Sequence, residues 1–81
     1  MTPEQCLEAR RLLGWSRERL EGLSELPQSF VRIYEKTGWA SAGPAQSGAE
    51  RVAAVRRVLE GAGADFTSGS ETGVKLRRAD L

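Results

Sequence analysis

The sequence predicts a mainly α domain of four to five short helices closed by a short C-terminal β-hairpin. Three observations predict it. Apolar residues recur at helical spacing in separate stretches, one starting at Cys6 and another at Val52. Cap residues and glycines interrupt these stretches too often for long helices. The last stretch, Gly73-Val74-Lys75-Leu76-Arg77, changes to a period of two.

The first helix is expected over residues 3–13. Thr2 can cap it, Pro3 suits its first position, and Gln5 completes a capping box. Cys6, Ala9 and Leu13 make its apolar stripe, with Leu12 beside them, and Gly14 ends it. Ser16 is the next cap, with Glu18 in the first turn where a negative charge favours the helix dipole. That helix is expected over residues 16–23, with Leu20 and Leu23 facing the core. Gly22 weakens it by about 1 kcal/mol relative to alanine. Ser24-Glu25-Leu26 is a tight connection, and Pro27 can begin a third helix over residues 27–36. Phe30, Val31 and Tyr34 give that helix an apolar face, and Thr37-Gly38 ends it. Three short helices with a tight turn between the second and third make a helix-turn-helix pattern.

Residues 37–47 are rich in Gly, Ser, Ala and Pro and read as a loop. Trp39 stands within it and is expected to cover the edge of the core, or else to meet a partner. Ser47 and Glu50 form a second capping box. Val52, Val55, Leu59 and Ala62 follow as an amphipathic stripe, with Arg51, Arg56 and Arg57 mostly off it, and Gly61 and Gly63 stop the helix. Two short strands over residues 64–67 and 73–77, joined by residues 68–72, form the hairpin, with Val74 and Leu76 on one face. A lone hairpin is marginal in water, so it must pack on the helices or pair with another edge. Residues 1–63 thus read as a helix-turn-helix domain, and residues 64–81 as a hairpin of the same domain and a possible dimerisation element.

Composition excludes several kinds of chemistry. The chain has 81 residues, one cysteine and no histidine. No intrachain disulfide can form, and histidine-based metal sites, nucleophile systems and pH switches are ruled out. No phosphate-loop sequence is present, and Gly61-Ala62-Gly63 precedes a strand rather than a helix. No carboxylate pair is poised as acid and base. No catalytic residue, metal or cofactor is therefore assigned, no small-molecule ligand is evident, and the chain is not expected to be an enzyme. Residues 1–5 carry no signal-peptide pattern and no apolar run could span a membrane, so a cytoplasmic protein without membrane partners is expected. With 12 basic and 11 acidic residues the net charge is +1, so any basic face must come from placement in the fold.

Leu13-Gly14-Trp15-Ser16-Arg17-Glu18-Arg19-Leu20, followed by Leu26, Val31, Tyr34 and Glu35, resembles the Cro/XRE-type helix-turn-helix family of bacterial and phage regulators. The resemblance covers residues 3–38 and, more loosely, the fourth helix and strand pair. It implies a lambda-repressor-like domain that binds double-stranded DNA as a homodimer and regulates transcription. By that resemblance the third helix enters the major groove, with Gln28, Ser29 and Arg32 nearest the base edges and Arg17, Arg19 and Lys36 on phosphates. Lys75 could add a phosphate contact, and Phe66, Val74 and Leu76 could serve dimerisation. The sequence departs from the family pattern at Glu21, where a small residue is usual, and at Glu25, where glycine serves a left-handed turn. A carboxylate near the DNA face would repel phosphate. The alternative is an interaction or dimerisation module, or an antitoxin, that keeps the fold with weak or no DNA binding.

Overall fold

The computed structural model describes residues 1–66 and 73–77. Among them lie four helices, α1 (Pro3–Leu13), α2 (Arg17–Ser24), α3 (Phe30–Thr37) and α4 (Gly48–Gly61), and two strands, β1 (Ala64–Asp65) and β2 (Lys75–Leu76). The strands pair antiparallel, Ala64 opposite Leu76 and Asp65 opposite Lys75. The expected strand residue Thr67 and hairpin residues 68–72 lie outside the described residues.

The caps are local and form as the sequence expects. Thr2 Oγ1 accepts the Gln5 N–H at 3.1 Å and Gln5 Oε1 accepts the Thr2 N–H at 2.9 Å. Ser16 Oγ accepts the Arg19 N–H at 3.0 Å. Ser47 and Glu50 cap α4 reciprocally, at 2.7 and 3.1 Å. Gly14 ends α1 in the left-handed region, where its missing Cβ removes the steric cost.

The third helix differs from expectation. It begins at Phe30 rather than at Pro27. Residues 27–29 form a turn closed by the Phe30 N–H on the Pro27 carbonyl, and Ser29 is left-handed at φ 73° with no side-chain cap. A residue in that conformation cannot continue a right-handed helix, so the helix starts after it.

The four helices and β1 contribute to one core, joined by Phe66 and Val74 beside the strands. Cys6 and Ala9 of α1, Leu20 of α2, Phe30, Val31 and Tyr34 of α3, and Val55 and Leu59 of α4 are buried together with Ala64, Phe66 and Val74. The hairpin packs on both α1 and α4. The exposure of four side chains bears on the expectations. Leu23, expected to face the core, is 49% exposed. Trp39 is 61% exposed, outside the core edge. Leu76 shares the face of Ala64 but lies at its open margin and is half-covered, whereas Val74 is buried. Arg51, read as off the apolar stripe, is buried beneath the loop that precedes α4 and lies 5.9 Å from the Phe30 ring centroid.

Candidate nucleic-acid interface

On α3 the residues facing away from the core include Arg32 and Lys36, one turn apart on the same side of the helix. Arg17, the first residue of α2, approaches them. Together with Leu7 and Glu35 they line a shallow depression of about 320 Å³. Three residues expected at a DNA surface, Arg17, Arg32 and Lys36, are thus brought together. Gln28 is exposed in the turn ahead of α3, and Ser29 is half-buried beside it. The expected base-reading set is therefore divided: Arg32 stands on the helix, while Gln28 and Ser29 precede it.

The one carboxylate lining this depression, Glu35, is engaged from beneath. Arg10 holds it in a two-pronged ion pair, Nη2 to Oε1 at 2.9 Å and Nε to Oε2 at 3.0 Å. Both side chains are largely buried, at 11% and 7% exposure. Arg10 Nη1 also donates to the Trp15 carbonyl at 3.1 Å, tying the pair to the α1–α2 corner. The Cys6 thiol donates to Glu35 Oε2 at 3.4 Å. Burial, with the Glu35 charge behind it, pushes that thiol far above the ordinary range. The hydrogen bond and charge of Glu35 raise the Arg10 guanidinium further, against the lowering effect of its own burial. Arg17 Nε lies 3.7 Å from Glu35 Oε1, so Arg17 leans toward Glu35. With the Glu35 charge matched by Arg10, Arg17, Arg32 and Lys36 leave the rim positive.

Glu21 is turned inward. It is 5% exposed, and its Oε2 accepts the Val31 N–H at 2.9 Å. It supplies the cap that Ser29 does not, and its charge faces the positive end of the α3 dipole. Glu25, exposed at φ 58°, occupies the left-handed C-cap of α2. Arg19 is exposed, with its guanidinium carbon 5.2 Å from the Trp15 ring centroid, so the indole holds the cation beside the start of α2.

Sequence reasoning missed Leu7, the Arg10–Glu35 pair and the inward cap from Glu21. Arg10 and Glu35 are 25 positions apart and Glu21 and Val31 are 10 apart, so local spacing carries no trace of either contact. Phe66 and Val74, expected at a dimer surface, are buried in the chain's own core, and only Leu76 of that set is substantially exposed. Lys75 is exposed on β2. Among the described residues no group of three His, Cys, Asp or Glu side chains could hold a metal ion, and no helix is long and apolar enough to cross a membrane. Comparison with family models, with curated proteins and with solved structures finds no match for this chain.

Proposed function

We propose that this chain binds double-stranded DNA, with α3 in the major groove, and regulates transcription. The reading rests on one observation: Arg17, Arg32 and Lys36 share a rim whose lining carboxylate, Glu35, is matched from beneath by Arg10, while Glu21 is turned inward onto the Val31 N–H. The major groove, about 12 Å wide, admits a helix of this kind. Arg32 would pair with guanine and Gln28 with adenine, while Arg17, Arg19 and Lys36 would meet phosphates. Ser29, half-buried and left-handed, is a weaker candidate for base contact than its neighbours.

Selection from a random duplex library at near-physiological salt tests this directly. Arg32→Ala should then lose about 1–3 kcal/mol of affinity and relax preference at one base position. Unchanged affinity and preference would rule out α3 as the reading element. Exposed Trp39 favours a second reading, in which the fold serves a protein contact. Trp39→Ala should leave duplex affinity intact if the first reading holds, and abolish association with a protein partner if the second does.

A further inference from the structure

Arg51 is a buried cation with no counter-charge among the described residues. It is 9% exposed, and its guanidinium turns back beneath residues 40–46. Nη1 donates to the Ser41 carbonyl and to Ser41 Oγ, both at 3.2 Å. Nε is buried without a partner. No described carboxylate pairs with the residue. Nη2 occupies the place a side chain at position 43 would take, since a Cβ on Gly43 would overlap it. The loop is closed over this group by the Gly43 N–H on the Gln46 carbonyl at 2.8 Å and by the close approach of the Ala40 carbonyl to Gly48.

The Ser41 oxygens and the Phe30 ring face the guanidinium but leave Nε–H without an acceptor, and burying that donor unpaired is unfavourable. The neighbouring Nε–H and Nη2–H point the same way from a planar fork, the geometry that suits two oxygens of one oxyanion. The geometry points to an oxyanion site of the phosphate class at Arg51, framed by residues 41–46 and the start of α4. It is separate from the depression on α3, whose lining does not include Arg51. The anion has two possible sources, free inorganic phosphate or a phosphodiester of a bound duplex.

Nitrogen-15 NMR of the Arg51 Nε–H in the unaltered protein tests the site without requiring a variant to fold. Sodium phosphate should move this resonance saturably, and sodium chloride at matched ionic strength should not. Equal responses to the two salts overturn the inference, as does a larger response to glutamate than to phosphate. Duplex DNA in phosphate-free buffer is the second arm: a shift matching that of phosphate identifies the phosphodiester, and no shift identifies the free ion. Thermal unfolding gives an independent measure, because a ligand bound only by the folded state raises Tm. The phosphate-induced rise should vanish in Arg51→Met and in Gly43→Ala; its persistence in a folded Arg51→Met overturns the site. If the duplex fails to bind while phosphate still moves Nε–H, the DNA reading falls and this site stands. If the duplex binds and phosphate does nothing, the reverse holds.

Discussion

Glu25 and Cys6 are single residues whose energetics the fold fixes. Glu25 sits at φ 58°, a conformation that costs a residue with a Cβ about 1–2 kcal/mol. Glycine removes that cost but gives back part of it through a freer unfolded chain. Glu25→Gly should therefore stabilise the protein by about 0.5–1 kcal/mol, read as a shift in urea midpoint at constant m-value. A destabilised variant would mean that the carboxylate makes a favourable contact. Cys6 acts through its proton. Its folded pKa lies above the ordinary value of 9.0, so the native state keeps a proton that the unfolded chain releases. The resulting stabilisation is complete below that ordinary value and is lost as pH rises beyond it, by up to about 1.4 kcal/mol per pH unit. Tyr34, raised by burial and then by the Cys6 and Glu4 charges, acts the same way at still higher pH. Chemical unfolding between about pH 8 and 10 should thus show a steeper loss in the parent than in Cys6→Ala. Parallel curves would show that the thiol ionises in the folded state as it does in the unfolded chain.

At the scale of elements, α3 depends on a cap that comes from another helix. Ser29 offers no side-chain bond, and the Val31 N–H is satisfied by Glu21 from α2. Glu21→Ala should cost about 1–2 kcal/mol, the usual loss on removing a helix cap, and should speed hydrogen exchange at Val31 before it affects α4. Glu21→Gln keeps an acceptor oxygen and should recover part of both effects. Equal exchange at Val31 in all three proteins would show that the clip contributes nothing. The same contact explains which elements were legible in the sequence. The ends of α1 and α4 were, because Thr2 with Gln5 and Ser47 with Glu50 are each three residues apart. The start of α3 was not, because Pro27 suits a first helical position while the cap lies in a different element. The candidate surface was legible only through the family resemblance, which marks Arg17, Arg32 and Lys36. Its electrostatics were not. Glu21 read as an acid near a DNA face until its partner, the Val31 N–H, is reached by folding, and no local spacing marks Glu35 as the partner of Arg10. Arg51 read as off the apolar stripe for the same reason, since its burial depends on residues 40–46 folding back over it.

At the scale of the whole molecule, the surface depends on how α1, α2 and α3 are held together. The Arg10–Glu35 pair joins α1 to α3, the Arg10 bond to the Trp15 carbonyl secures the entry to α2, and Tyr34 Oη donates to the Met1 carbonyl at 2.9 Å. These ties keep Arg17 beside Arg32 and Lys36 although each is a long, exposed side chain. A net charge of +1 gives little general attraction for DNA, so the proposed duplex affinity would have to come from this local rim. Counterion release then sets a quantitative expectation. Phosphate contacts by Arg17, Arg19 and Lys36 give a log–log salt slope of about −3 for one chain and about −5 for two chains on one site. Measuring the slope beside the solution mass separates the two cases. Phe66 and Val74 are already committed to the monomer core, so pairing would have to use other surfaces, with Leu76 at their edge. A slope near −3 with a monomeric mass means a single chain makes these contacts; one near −5 with a doubled mass means a symmetric pair does. A salt-independent affinity would mean that the cationic rim does not meet phosphate, whatever the mass.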